Sequence, residues 1–478
     1  MKKLPLIEGL KKYLDENNSP FSMPGHKQGR GFNIPSLGIN LNDIITKIDL
    51  TEVDGIDNLH KPENIIKESL DMLKSYYNSK KSYFLVNGST SGNLMMIFSA
   101  LEEGDNILVE RNCHKSIFSG IIMRKLNPIY LNNIINEDLN IPIALDIENL
   151  KKIIKDKSIK AIILTYPNYY GIGCNLEEVI KICNHNKVKV LIDSAHGAHF
   201  GVNSKLPKSA VKLGADMIVM SSHKTLPSLT QTAFLHVNDK SLLEKVDFYF
   251  GVFSSTSPSY MLMASMDYGR AFLQYEGENE YELLIERLRQ FKENIKNIKE
   301  INIVDSKFLR DDLEKYKICI DSSRLILNLE KGYSAHKFAD YLRKNKIQVE
   351  MSDEKNIVLI TTPFNNENDF KRLTSVIVNC DFEKLKGKIH TWSLYDIPKM
   401  VIPPYEAMNK EKIKVKLKDS ENMICGENII PYPPGVPLLM IGEKITKEYI
   451  KIIQELQNSG VTILGFEDNN IKIIKNKV

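Results

Sequence analysis

Between about positions 83 and 240 the chain alternates short apolar runs with amphipathic helical segments, and this alternation leaves few folds open. Strands separated by crossover helices pair in parallel, and a parallel sheet has to be covered on both faces. The runs predict strands at 82–86, 106–109, 160–165, 188–192 and 216–220. Helices are expected at 93–102, 115–126 and 176–186, the last with apolar residues at 176, 179, 180 and 183. Such strands bring their C-terminal ends to one edge, where α/β proteins bind ligands. The chemistry is expected there.

With 478 residues the chain exceeds one ordinary domain. Beyond about 270 the pattern changes: 271–301 reads as one long charged helix, and 324–329, 336–344 and 356–361 as a smaller α/β unit. The run 381–400 is polar and loop-like, ending in Tyr395-Asp-Ile-Pro398. A last unit holds the turn Pro431-Tyr-Pro-Pro-Gly-Val-Pro437 and a strand-like 461–466. The expected division is an arm (1–30), a large domain (31–270), a small α/β domain (271–385) and a C-terminal domain (390–478).

Composition removes several classes. A net charge of +4 from 64 basic and 60 acidic side chains, spread along the chain, gives no nucleic-acid footprint. The segment 4–14 is interrupted by Pro5, Glu8, Lys11 and Lys12 and lacks a signal-peptide core, and no window approaches a membrane span. Six cysteines without a Cys-x-x-Cys pair read as free thiols in a reducing cytoplasm. A cytoplasmic globular protein is expected.

Asp193 and Lys224 each follow an apolar strand and stand one crossover and one strand apart, so they can lie side by side at the sheet edge. An Asp opposite a pyridine nitrogen keeps the ring protonated as an electron sink, and a Lys beside it can form an imine. This is the constellation of a pyridoxal-5′-phosphate (PLP) site. Alone, either residue reads as readily as a helix cap or a surface charge. Gly88-Ser89-Thr90-Ser91-Gly92, between a strand and a helix, supplies the anion cradle. No Gly-Lys-Ser/Thr follows, which removes a Walker-type ATPase. Ser221 and His223 are candidate further phosphate donors. His114 is placed to stack on the ring, and Ala195 is small enough to pack under it while Asp193 meets its edge. His196 and His199, three apart, raise a zinc reading, but Gly197 weakens the helix it needs and no third ligand is evident, so no metal is expected. Phe21-Ser-Met-Pro-Gly-His-Lys-Gln-Gly-Arg-Gly-Phe32 is glycine-rich without a nucleotide-binding context and reads as a segment wrapping over the site or as a surface loop.

Taken in order, Pro24-Gly-His-Lys27, Asp57-Asn-Leu-His-Lys-Pro62, Arg111-Asn-Cys-His-Lys-Ser116, Asp193-Ser-Ala-His-Gly-Ala-His-Phe200, Ser221-Ser-His-Lys224, Ser255-Thr-Ser-Pro-Ser-Tyr260 and Tyr432-Pro-Pro-Gly435 resemble the Orn/Lys/Arg decarboxylase family. The resemblance lies with its short branch, typified by Gram-positive arginine decarboxylase. It implies an aspartate-aminotransferase-like α/β fold (PLP fold type I), with smaller α/β domains following the large one, in a homodimer or higher homo-oligomer. It also implies Lys224 as the Schiff-base lysine, Asp193 as the pyridinium partner and His114 as the stacking residue. Ser89, Thr90, Ser91, Ser221 and His223 would hold phosphate, with Ser255 and Thr256 reaching it from the neighbouring subunit; Ala195 and His196 complete the cofactor contacts. The implied activity is decarboxylation of a basic amino acid, arginine before lysine and ornithine, feeding polyamine metabolism. The alternatives are a PLP-dependent aminotransferase or lyase, or a non-catalytic PLP-binding relative. Asp54, Asp57 and Glu427 are candidates to meet the substrate's distal cation. The chain departs from the family pattern at Leu439-Met-Ile-Gly-Glu443, which lacks the usual Pro before Gly-Glu, and in a short tail.

Overall fold

The computed structural model describes residues 4–156, 158–387, 397–432, 437–458 and 461–475. Its central sheet has seven strands: β1 (Lys81–Leu85), β2 (Asn106–Glu110), β3 (Asn127–Leu131), β4 (Ile159–Thr165), β5 (Lys189–Asp193), β6 (Met217–Met220) and β7 (Ala233–Val237). Their order is β1-β7-β6-β5-β4-β2-β3. Ile162, Ile163, Leu191, Ile192, Ile218 and Val219 in the middle strands are fully buried, as expected for a sheet covered on both faces. The five expected strands are present within a residue or so, and β3 and β7 join them. The expectation of an all-parallel sheet is corrected at β7, which runs antiparallel to both β6 and β1. The segment 221–232 holds only the one-turn helix Ser222–Thr225. A single turn cannot carry the chain back along the sheet, so the next strand returns in the opposite direction.

Helix Gly88–Ala100 starts at the cradle glycine itself, five residues before its expected start. The expected single helix 271–301 is two, Tyr260–Tyr275 and Gly277–Ile295, divided where Glu276 leaves helical geometry at φ −122° and ψ −20°. The smaller sheet comprises Ile301–Ile303, Arg324–Leu329, Asn356–Ile360 and Met351–Ser352, antiparallel throughout and in that order. A short strand from the arm, Ser19–Phe21, pairs in parallel with Ile347–Val349. The C-terminal part packs helix Lys447–Asn458 on its own core, including Leu417, Ile429, Leu439, Ile453 and Ile471. There the expected strand 461–466 is divided at Gly465 into Thr462–Leu464 and Phe466–Glu467. Residues 388–396 in the polar run and 433–436 in the Pro-rich turn lie outside the described residues. All six cysteines are unbridged, and among the described residues no helix is long and apolar enough to cross a membrane.

Candidate active site

Asp193 ends β5 and is paired in register with Val219 of β6; Lys224 lies just beyond the end of β6. Both line a cavity of about 590 Å³ at the C-terminal edge of the sheet. Asp193 is buried, and its hydrogen-bond donors are neutral: Asn93 Nδ2 donates to Oδ2 (2.8 Å) and the Ala195 N–H to Oδ1 (3.1 Å). Asn93 also donates to Ser116 Oγ at 2.9 Å. It comes within reach because helix 88–100 lies hard against the sheet: a Cβ at Gly92 would sit 2.6 Å from Leu85 Cδ1 and 2.7 Å from Val219 Cγ2. With no Arg or Lys among those donors, the carboxylate can serve a cationic ring nitrogen. Sequence reasoning missed Asn93, since a lone helical Asn carries no signal until the helix is laid over the strand end.

His114 caps helix Lys115–Met123, its Nδ1 accepting from the Ser116 N–H (3.3 Å) and meeting Ser116 Oγ (2.8 Å). Burial lowers its pKa, against the opposing pull of Asp193. Lys224 Nζ meets His196 Nε2 at 3.1 Å. Burial holds the lysine below its ordinary pKa; Asp193 and Glu350 oppose that shift and Arg324 adds to it. His199 is directed elsewhere, toward Asp321 (3.1 Å), and stacks on Tyr281. The two histidines therefore serve different partners, and among the described residues no cluster of three or more His, Cys, Asp or Glu is arranged for a metal.

At the anion end Gly88 (φ +74°), Ser89, Thr90, Ser221 and His223 line the cavity, and Ser89 Oγ meets Ser221 Oγ at 2.6 Å. None of these carries negative charge, and Gly88, Ser89 and Thr90 are themselves the first turn of a 13-residue helix, whose end favours an anion. His223 Nδ1 donates to the Thr232 carbonyl (2.8 Å), and burial brings its pKa down to about 4. Ala195 and His196 line the same cavity. Ser91 does not: its Oγ donates to the Gly88 carbonyl (2.8 Å). Ser255 and Thr256 are exposed and outside the cavity of the single chain, where the Ser255 N–H donates to Asn87 Oδ1 beside the cradle. Asn93 Oδ1 and Asn112 Nδ2 are buried without partners, on two residues that line the cavity. Such atoms call for a polar ligand. An anion cradle, a facing carboxylate and a reachable lysine fit a phosphorylated pyridine aldehyde.

The arm motif packs against the lysine loop, which corrects the surface-loop alternative. The Gly25 N–H donates to the His223 carbonyl (2.8 Å), and Thr362 Oγ1 donates to the Gly25 carbonyl (2.8 Å). Lys27 is 1% exposed, donates to the Ser22 and Ile360 carbonyls, and is brought down to about pKa 7 by burial. A Cβ at Gly25 would lie 2.5 Å from Leu226 O and 2.7 Å from Thr225 C, backbone atoms that cannot swing aside. Gly25→Ala is expected to cost about 1–3 kcal/mol of stability, read from the urea unfolding midpoint of the purified variant.

None of the three carboxylates proposed for the distal cation lines the cavity. Asp54 is exposed, and Glu427 pairs with Lys472 at 2.7 Å. Asp57 is buried and accepts from the backbone N–H groups of Asn58, Glu63, Asn64, Ile66 and Lys67, at the N-terminus of helix Ile65–Tyr77. Asp57→Ala should lower stability by about 2 kcal/mol, measured by urea unfolding. Asp146, Asp353 and Glu354 line the cavity instead. So does Arg111, whose guanidinium forms a two-point ion pair (2.7 and 2.8 Å) with buried Glu443 and also donates to the Leu438 carbonyl.

The crystal structure of the Francisella novicida lysine decarboxylase LdcF matches this fold with a TM-score of 0.76 at 23% identity, over 98% of this chain and 81% of that one. The fold is therefore of the aspartate-aminotransferase type, PLP fold type I. The chain belongs to the Orn/Lys/Arg decarboxylase family: residues 4–369 match the family's major domain and 388–472 its C-terminal domain. It is 33% identical to the uncharacterized protein YaaO of Bacillus subtilis, over 98% of this chain and 96% of that one. It is 30% identical to a Bacillus subtilis arginine decarboxylase, over 98% and 97%.

Proposed function

We propose that this chain is a PLP-dependent decarboxylase that converts a basic amino acid, arginine by preference and then lysine or ornithine, to its amine and carbon dioxide. The observation that carries the reading is Asp193 and Lys224 on one cavity, at adjacent strand ends, with the uncharged anion cradle 88–90 opening on the same space. When bound, PLP supplies the electron sink for the breaking bond between Cα and the carboxylate. Ser89, Thr90, Ser221 and His223 would hold its phosphate, Asp193 its ring nitrogen and Lys224 its aldehyde, with His114 against the ring.

The chain's own task is orientation. Decarboxylation is selected over transamination when the scissile bond is held perpendicular to the ring, and binding energy spent on that alignment lowers the barrier. Of the carboxylates on the cavity wall, Asp146 and Glu354 suit a cationic side chain, whereas burial raises the Asp353 pKa and Tyr170 and Asn356 occupy its oxygens. Similarity to the Bacillus subtilis arginine decarboxylase supports arginine. The same reading makes the enzyme a cytoplasmic homodimer or higher homo-oligomer feeding polyamine metabolism, with Ser255 and Thr256 beside the partner's phosphate.

The test is incubation of purified protein and PLP with arginine, lysine and ornithine separately, measuring carbon dioxide and identifying the amine. Agmatine from arginine is the expected product. Keto-acid formation without carbon dioxide would replace this reading with an aminotransferase. Asp193→Ala is expected to retain the lysine-linked cofactor yet lose about a hundredfold or more in turnover.

A further inference from the structure

We propose that Arg324 is a positioning residue that acts through His196 on Lys224, fixing the imidazole so that its Nε2–H is presented to the lysine nitrogen. The inference rests on the PLP reading above.

Arg324 opens a strand of the small sheet and is 5% exposed. Its Nη2 lies 3.3 Å from His196 Nδ1, and the opposite ring nitrogen, Nε2, lies 3.1 Å from Lys224 Nζ. A guanidinium only donates, so Nδ1 must accept, and a neutral ring then carries its proton on Nε2. That proton faces Nζ and needs a lone pair there, which only the unprotonated amine has. The ring is held in place by Tyr169, edge-on at 4.8 Å, and Arg324 Nη1 reaches the Tyr169 carbonyl at 3.4 Å. Behind it, the Arg324 backbone N–H donates to the Asp321 carbonyl, and the Asp321 carboxylate, fixed by His199 and Ser323, lies near enough to the guanidinium for the positive charge to lower its pKa.

The groups around the lysine pull both ways. Asp193 and Glu350 favour the ammonium form; burial and Arg324 favour the amine. His196 is itself held neutral by burial and by Lys224 and Arg324, with His223 and His114 adding to the effect. The relay from Arg324 thus prepares the nucleophile for cofactor capture. On PLP binding, Lys224 Nζ would supply the lone pair for imine formation with the aldehyde carbon, its two protons leaving with the aldehyde oxygen as water.

The readout is the rate at which apoprotein takes up PLP, followed by visible absorbance from pH 6 to 10, for wild type, Arg324→Gln, Arg324→Lys, His196→Gln and the double variant Arg324→Gln/His196→Gln. The wild-type rate should rise with pH to a plateau as Lys224 loses its proton, with a midpoint below that of an ordinary lysine. In Arg324→Gln the profile should shift upward by about one pH unit, so that capture is slower on the low-pH limb, by up to about tenfold well below both midpoints, and equal to wild type at high pH. Arg324→Lys should restore part of the difference. His196→Gln should reproduce most of the shift, and the double variant should exceed it only by the direct charge effect of Arg324 on Lys224, since both changes cut one relay. An unshifted profile in soluble, folded Arg324→Gln would overturn the inference, as would a raised KM alone, which marks a substrate contact. If Arg324→Gln does not fold, an unshifted His196→Gln overturns it equally. Wild-type apoprotein that never takes up PLP defeats the PLP reading itself, a result distinct from these.

Discussion

Lys224→Ala should give a folded protein that develops no lysine-linked visible absorbance with PLP and decarboxylates basic amino acids at least about a thousandfold more slowly. The side chain sits on a one-turn helix between β6 and β7 and, among the described residues, hydrogen-bonds His196, so its loss leaves the sheet intact. Absorbance, circular dichroism and carbon dioxide release on the same sample separate chemistry from folding. Full activity in this variant would defeat both the lysine assignment and the PLP reading.

The second large effect concerns stability. Glu443→Ala is expected to destabilise by about 3–5 kcal/mol, because it strands the Arg111 guanidinium in a buried setting. Both oxygens of Glu443 receive Arg111, and one also accepts the Met440 N–H at 2.7 Å. The pair joins the C-terminal part to the segment that carries His114. Replacing both partners by apolar residues, as in Arg111→Met with Glu443→Leu, should recover much of the loss, since desolvating the pair offsets most of its attraction. Urea unfolding midpoints of the two single variants and the double variant check the order. A single variant as stable as wild type would remove the pair from any structural role.

Reading the sequence located what is local. Asp193, Lys224 and the glycine at 88 announce themselves because each interrupts a strand-to-loop transition, where ligand chemistry gathers. Strand direction was not legible: period-two or continuous apolar runs look alike both ways along the sheet, so β7 could not be seen to reverse. Asn93, Arg324 and Glu350 were hidden for a different reason. Their roles depend on which elements the fold lays together, and Arg324 stands 128 positions from His196. Asp57 shows the converse. Its motif drew attention as a possible cation ligand, yet its oxygens are occupied by the start of a helix, a use that the same residue type serves equally well.

The arm also sets a constraint on biogenesis. Residues 19–27 close over the lysine loop, but their anchors at Ile360 and Thr362 are made more than 330 positions later. A chain emerging from the ribosome N-terminus first must leave these two anchors unmade for roughly tens of seconds while the large sheet assembles. Closing a span of that length is entropically costly and late. The cover over the lysine loop can thus touch His223 early, yet gains its full set of anchors only after the small sheet has formed.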